Sequence, residues 1–153
     1  MPDGDEDHLD MAERMFTLRR LDLFSQLAES DIMQVARLLS STIYAENEEI
    51  ISRGATDKDV FIVKTGTVRI EEGERVLAML GPGAVLGELA AIDPAPRSVT
   101  VRAVEPCHLY RLPAHAFLSL IDERFEIAQG ILVMLCRRLR RRIGQEPEGV
   151  VRY

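Results

Sequence analysis

The sequence predicts a mainly β domain, a sandwich or barrel, with α-helices on both flanks. Short runs rich in β-branched residues recur between residues 41 and 112 at a spacing of roughly ten residues, and glycines separate them. On either side of this region, apolar residues recur at the spacing of a helix face. The 153 residues, 46% of them hydrophobic, are enough for one domain with a sizeable core.

Residues 1–40 are predicted to form a helical lead-in. The apolar positions of its first helix are Leu9, Ala12, Met15 and Phe16. Ser30 fits the N-cap of a second helix. The apolar face of that helix consists of Ile32, Val35, Ala36 and Leu39.

Residues 41–112 are predicted to hold the strands, and residues 113–143 the C-terminal helices. The segment 71–74, Glu-Glu-Gly-Glu, is typical of a tight hairpin turn. Pro113 fits the first position of a short helix whose apolar side is Phe117, Leu120 and Ile121. The last helix is expected to begin at Glu123 or Arg124, and residues 144–153 form a tail.

The last helix is apolar on all sides from Ile131 to Cys136. A surface helix needs only one apolar face. The second face therefore predicts a second contact, either with a partner helix or with a ligand that the helix covers.

One stretch of the β region has the composition of an anion site. Gly87, Glu88, Leu89 and Ala90 predict a single helical turn, which the Asp-Pro-Ala-Pro segment 93–96 stops. A helix start presents unpaired backbone N–H groups, and Arg97 can return to it as a forked cation suited to phosphate. Glu88 adds an acceptor for hydroxyl groups, so the combination indicates a sugar phosphate.

This stretch, Gly-Glu-Leu-Ala at 87–90 followed by Pro-Arg-Ser at 96–98, resembles the phosphate-binding cassette of cyclic nucleotide-binding domains. That family includes the regulatory subunit of protein kinase A, the catabolite activator protein and cyclic nucleotide-gated channels. The resemblance extends roughly from Leu18 to Arg142. It implies an antiparallel jelly roll of about eight strands, with the cassette at 87–98 between two of them and a C-terminal lid helix.

The resemblance also assigns roles within the cassette. It implies that Arg97 contacts the exocyclic oxygens of the cyclic phosphate and that Glu88 accepts from the ribose 2′-hydroxyl. Gly87, Leu89 and Ala90 would supply backbone contacts. Because Arg97 binds the ligand and is not part of the core in this interpretation, we expect the protein to remain folded without that side chain.

The resemblance also implies which residues contact the purine base. Ser98 would contact either the phosphate or the purine. Ile70 and Leu77 match positions that contact the base, with plain core packing as the alternative. The candidates for capping the base from the lid are Met134, Arg137 and Arg138.

The sequence therefore predicts a cyclic nucleotide receptor domain, with cAMP as the first ligand and cGMP as the second. We expect no cofactor, no metal and no catalysis, because the three histidines and two cysteines form no recognisable constellation. The alternatives are an interaction module that lost its ligand, and a transcription regulator truncated before its DNA-binding segment. The candidate partners are a second copy through the last helix and a fused effector or membrane protein.

Charge and composition indicate which partners and which cellular compartment to expect. The net charge of −6 disfavours nucleic acid, and the five arginines between residues 137 and 142 suit the negative end of a helix. The sequence has no secretory signal, no apolar run long enough for a membrane span and two distant cysteines. We therefore expect a cytoplasmic protein, or the cytoplasmic domain of a larger membrane protein.

Overall fold

The structure is a computed structural model that describes the backbone of residues 3–145 and the side chains of residues 8–144. The α-helices of this part are α1 (Asp3–Arg19), α2 (Glu29–Leu38), α3 (Glu88–Ile92), α4 (Ala114–Glu123) and α5 (Phe125–Gln145). A 3₁₀ turn, Asp22–Phe24, lies between α1 and α2. The strands are β1 (Ser40–Tyr44), β2 (Glu49–Ile51), β3 (Val60–Thr65), β4 (Val68–Glu72), β5 (Arg75–Leu80), β6 (Val85–Leu86), β7 (Thr100–Ala103) and β8 (Cys107–Leu112).

The strands form two four-stranded antiparallel sheets. Their orders are β1-β8-β3-β6 and β2-β7-β4-β5. The predicted antiparallel jelly roll flanked by helices is confirmed. Because β6 and β7 lie in different sheets, the chain between them crosses from one sheet to the other, and α3 lies in that crossing.

Strand β3 contributes to both hydrophobic cores. Val60 and Ile62 pack with the helices, whereas Phe61 and Val63 pack between the sheets. Side chains alternate between the faces of a strand, so a strand that is covered on both faces is apolar throughout. This position explains the uninterrupted apolar run at residues 60–63.

The lead-in helix α1 buries Met15 of the predicted apolar face, but not Leu9, Ala12 or Phe16. Leu9 and Phe16 are each 62% exposed, whereas Met15 and Leu18 are buried in the core. Arg14 lies beside these buried residues and donates from Nη1 to the Ala36 carbonyl at 3.2 Å and to the Leu39 carbonyl. Tertiary docking of this polar side chain thus fixes the rotation of the helix, which apolar spacing alone did not predict.

The predicted face of α2 is confirmed, since Ile32, Val35, Ala36 and Leu39 are all buried. Its predicted start is wrong by two residues, since the N-cap was expected at Ser30. The Ala28 carbonyl accepts hydrogen bonds from the N–H groups of Asp31 and Ile32 at 3.0 Å, so Ala28 is the N-cap and Ser30 lies inside the helix.

The predicted β4–β5 hairpin is confirmed, with Gly73 at φ +62° in its turn. Pro113 lies at the N-cap of α4, one position earlier than predicted, and its carbonyl accepts from Phe117 N at 3.0 Å. Helix α5 begins at Phe125, because Glu123 ends α4 and Arg124 caps it. The predicted tail overlaps α5 up to Gln145, and its residues 146–153 lie outside the described part.

Both cysteines are free thiols, Cys107 buried and Cys136 exposed, so the two do not form a disulfide. Within residues 3–145, no helix is both long enough and apolar enough to span a lipid bilayer.

Candidate functional site

The cassette begins where β6 meets the short helix α3. Gly87 separates the two elements with a left-handed backbone, φ +83°. A β-carbon on Gly87 would lie 2.6 Å from Arg97 Nη1 and 2.7 Å from the Asp59 carbonyl oxygen. Both the conformation and the close approach therefore require glycine at this position.

Arg97 is held in place by both its backbone and its side chain, and its side chain contacts Gly87. Its N–H donates to the Ala55 carbonyl, and its own carbonyl accepts from Gly54 N, each at 2.8 Å. Its side chain is only 3% exposed, and its Nη1 donates to the Gly87 carbonyl at 3.0 Å. The structure thus brings together the two ends of the cassette, as the sequence predicts.

Two acidic residues of the loop before β3 complete the surroundings of Arg97. Its Nη2 donates to Asp57 Oδ2 and to the backbone carbonyl of Asp59, both at 2.8 Å. The Asp59 carboxylate faces elsewhere: it pairs with Arg111 Nε at 2.8 Å and accepts from Ala114 N at 3.1 Å. Asp59 therefore links the arginine to the start of α4.

One polar atom of the Arg97 side chain remains without a partner. Its Nε is buried and makes no hydrogen bond within the described residues. A buried N–H without an acceptor is costly, and native proteins rarely leave one. An anionic oxygen within reach of Nε would satisfy this donor.

Glu88, the first residue of α3, is 2% exposed and is covered by the last helix. Arg138 of α5 forms an ion pair with Glu88 Oε1 through its Nη1. Its Nη2 donates to the Val85 carbonyl at 3.1 Å. The lid candidate Arg138 therefore reaches the cassette directly and contacts an acid there.

The other lid candidates behave differently from Arg138. Met134 is partly buried. Arg137 is exposed and forms an ion pair with Asp22 in the 3₁₀ turn, so it faces the lead-in and not the cassette.

The remaining predicted site residues line the cassette and the hairpin. Ala90 is 8% exposed, Leu89 is 57% exposed, and Ser98 is exposed. Ile70 on β4 packs partly against the core between the sheets. Leu77 on β5 is 43% exposed, beside a register shift that pairs Ile70 with Ala78 and Glu71 with Val76.

Sequence reasoning missed Asp57, Asp59 and the ion pair of Arg138 with Glu88. Asp57 and Glu88 lie 40 and 50 residues from the arginines that they contact. No local spacing relates residues so far apart. The available signal was chemical: a buried arginine and a buried glutamate must each find a partner of opposite charge.

The fold and this geometry define a class of protein. A short helix start, a buried arginine with an unpaired donor and a buried carboxylate lie within one β roll, and their chemistry suits a small anion that also carries hydroxyl groups. Within the described residues, no three His, Cys, Asp or Glu side chains cluster in a way that could hold a metal.

The family model described as "Cyclic nucleotide-binding domain" matches residues 42–124, and the chain belongs to this family. The match covers most of the β roll, including the cassette, and α4.

Three relatives illustrate the range of proteins that contain such a domain. The "Cyclic AMP receptor protein" of Thermus thermophilus is 31% identical over 77% of this chain and 57% of its own length. The "cAMP-dependent protein kinase regulatory subunit" of Yarrowia lipolytica is 35% identical over 65% of this chain and 26% of its own length. The regulatory domain of Toxoplasma gondii PKA, solved with cAMP, has a TM-score of 0.66 and 30% identity, covering 71% of this chain and 43% of that one.

The chain thus spans little more than half of the Thermus relative and a quarter of the yeast one.

Proposed function

We propose that this chain is a regulatory domain that binds a cyclic nucleotide in the cassette at residues 87–98, with cAMP as its first ligand and cGMP as its second. The observation that carries the proposal is the buried guanidinium of Arg97 beside Gly87, with its Nε donor unpaired. A cyclic phosphate supplies an anionic oxygen acceptor, which this donor lacks. Relatives named for cAMP support the order of ligands.

Glu88 receives the ribose in this proposal. Its Oε1 is paired with Arg138, so Oε2 is the oxygen that we assign to the 2′-hydroxyl. The backbone of Gly87, Leu89 and Ala90 passes along the sugar phosphate, where the N–H groups at the start of α3 favour an anion.

Selectivity is assigned to Ser98 and to the apolar side chains of Ile70 and Leu77. Neither apolar side chain offers a hydrogen bond that could separate adenine from guanine, so discrimination between the purines is weak. We expect cAMP to bind as tightly as cGMP or more tightly. We also expect Ser98→Ala to weaken cGMP binding at least as much as cAMP binding. A parent protein that prefers cGMP would contradict this assignment.

Helix α5 couples the site to the rest of the chain. Arg138 contacts Glu88 of the cassette, while Arg137, the next residue, contacts Asp22 in the lead-in. A nucleotide that changes the position of the cassette therefore acts on the lid helix and, through the 3₁₀ turn, on α1. We propose that binding shifts the population between two positions of α5.

The whole protein is proposed to be cytoplasmic, or a cytoplasmic part of a larger protein, and to regulate a fused or separate effector. In this proposal residues 1–40 connect to the effector, residues 41–112 bind the ligand and residues 113–143 respond to it. Nucleic acid and catalysis have no part in the proposal. A transcription regulator that continues beyond this sequence is the second candidate, favoured by the similarity to the Thermus protein.

Calorimetric titration with cAMP, cGMP and 5′-AMP tests the proposed function. We expect one site per chain for the cyclic nucleotides and much weaker binding of 5′-AMP, whose phosphate is not held in a ring against the sugar. Glu88→Gln should weaken cAMP binding by roughly tenfold or more, since a hydrogen bond to a charged group is worth about 1.5–3 kcal/mol. No heat with either cyclic nucleotide at millimolar concentration would favour the interaction module without a ligand.

A further inference from the structure

A cleft of about 700 Å³ lies between α1 and the end of β3. Strand β6 has only two residues and pairs with Phe61 and Ile62, so the sheet narrows beside the last residues of β3. Helix α1 and the turn at residues 81–84 enclose the space that remains. The volume of this space falls within the range of binding sites for small molecules.

The wall that α1 contributes has an exposed aromatic ring with a cation beside it. Phe16 is 62% exposed, and the guanidinium of Arg20, one turn later, lies 5.4 Å from the centre of the Phe16 ring. Among the described side chains no acid forms an ion pair with Arg20, whereas its neighbour Arg19 pairs with Glu29 at 2.9 Å. An aromatic face and a forked cation at adjacent positions are the groups that hold a flat anion.

The opposite wall adds a second cation whose charge is already neutralised. Lys64 Nζ lies 2.6 Å from Glu13 Oε2 and 5.6 Å from the centre of the Tyr110 ring, so the ammonium is held at the wall. Because Glu13 balances Lys64, the lining carries one net positive charge, that of Arg20. Pro82 gives this side an apolar surface. The cleft therefore suits a ligand with an apolar body and a single negative charge.

We propose that the α1 cleft, lined by Phe16, Arg20, Lys64 and Pro82, binds a small, flat aromatic molecule that carries one carboxylate. The ring packs on Phe16, and the carboxylate accepts two hydrogen bonds from the guanidinium of Arg20, whose planar fork matches it. A ligand with more negative charge would meet the carboxylate of Glu13. The lining includes no residue of the cassette at 87–98, so the proposal does not depend on nucleotide binding.

The size of the ligand sets the expected strength. A two-ring acid has about a dozen non-hydrogen atoms, and the binding energy per atom that is usual for small ligands then gives a dissociation constant of roughly one millimolar. Both Phe16 and Arg20 are exposed, so water competes for the carboxylate. We therefore expect weak, rapidly reversible binding.

Calorimetric titration with naphthoate and with naphthamide, its uncharged counterpart, tests the ligand class. Naphthoate should bind at one site per chain, about fivefold or more tightly than naphthamide, because only the carboxylate pairs with Arg20. Added cAMP should leave naphthoate binding unchanged. Equal binding of the two probes, binding of neither, or loss of naphthoate binding in the presence of cAMP would each overturn the proposal.

Two variants with matched controls test the residues. Arg20→Gln should weaken naphthoate binding about fivefold or more and leave naphthamide binding unchanged. Arg19→Gln removes the same charge from the neighbouring position, outside the cleft, and should bind naphthoate like the parent protein. Phe16→Ala should weaken both probes severalfold. Leu9→Ala is its control, because Leu9 is also 62% exposed on α1 but does not line the cleft. Controls that lose as much affinity as the cleft variants would overturn the proposal.

Amide chemical shifts locate the bound probe. Naphthoate should shift the amide signals of residues 12–20 and 63–65, which form the two walls of the cleft. Arg20→Gln should reduce these shifts at the same probe concentration, and Arg19→Gln should retain them. Shifts confined to the cassette at 87–98 would show that naphthoate occupies the nucleotide site and would overturn the proposal.

Discussion

The guanidinium of Arg97 lies 2.8 Å from the carboxylate of Asp57, in the loop that precedes β3. The same guanidinium donates to the carbonyls of Asp59 and Gly87, so one side chain joins this loop to the start of α3. Sequence reasoning assigned Arg97 to the ligand alone and expected folding to be independent of it. A side chain that is 3% exposed and has three protein acceptors also stabilises the fold.

Arg97→Ala should therefore lower stability as well as nucleotide binding. Deleting the side chain leaves buried carbonyls without donors, which typically costs about 1–3 kcal/mol. It also removes the partner of the phosphate, so affinity should fall by well over tenfold, since losing one member of a buried charge pair costs about 2–5 kcal/mol. Urea denaturation and calorimetric titration measure the two effects separately.

Two variants serve as controls for Arg97→Ala. Asp57→Asn removes one ionic contact of Arg97, and because the Asp57 side chain is half exposed it should cost at most about 1 kcal/mol of stability. Arg97→Lys should recover only part of the affinity, because an ammonium keeps the charge but not the planar fork. Parent-like binding by Arg97→Ala would show that the anion site lies elsewhere.

Gly87→Ala should damage the cassette more than the same change at Gly83. Both glycines have left-handed backbones, φ +83° and φ +90°, so alanine strains each by roughly 1–2 kcal/mol. A β-carbon at Gly83 meets no atom within 4 Å, whereas one at Gly87 collides with Arg97 and the Asp59 carbonyl. Only Gly87→Ala should therefore displace the guanidinium and weaken cAMP binding. Losing one charged hydrogen bond should lower the affinity by at least roughly tenfold. Equal effects at the two positions would mean that the close approach is unimportant.

Arg138→Ala should loosen α5 from the cassette. The substitution leaves the buried Glu88 carboxylate without its cation and removes the contact to the Val85 carbonyl. We expect amide hydrogen exchange in residues 131–142 to accelerate severalfold, because local opening then breaks fewer contacts. Arg141→Ala is the matched control, since Arg141 is exposed and its Nε donates to the Arg137 carbonyl of the same helix at 3.4 Å. Unchanged exchange in Arg138→Ala would show that the ion pair does not hold the lid.

Glu71 should contribute to the acid sensitivity of the fold. The hydrogen bond from Arg69 lowers the pKa of Glu71 below its usual 4.5, and the charge of Arg102 lowers it further. These arginines face each other across β4 and β7, so the carboxylate also separates two like charges. A carboxyl group with a lowered folded pKa stabilises the fold above its unfolded pKa, and this contribution is lost as the pH falls through the folded value.

Denaturation measured between neutral pH and pH values below the usual 4.5 should show this loss in the parent protein. Glu71→Gln should be less stable at neutral pH and should lose less stability on acidification. Glu72→Gln, at an exposed neighbouring position, should follow the parent curve. Identical curves for all three proteins would exclude a contribution from the Glu71 cluster.

Local sequence determined much of the fold and the outline of the candidate site. The apolar spacing of α2, the continuous apolar strand β3 and the turn at Gly73 each depend on neighbours within a few residues. The cassette is equally local, because a glycine-initiated helical turn, a proline stop and a following arginine lie within twelve positions, 87–98. Propensity and steric limits act over this range, so spacing alone predicts the outcome.

Tertiary structure decided which partners those residues meet. The contacts of Arg97 with Asp57 and of Glu88 with Arg138 join residues 40 and 50 positions apart. The face that α1 buries likewise depends on where Arg14 finds the carbonyls of α2. Burial forces each charged or polar group to find a complementary partner, and which partner is within reach depends on how the elements pack. That packing also decides which apolar side chains of α5 the domain buries, such as Ile127, and which it leaves exposed, such as Leu132.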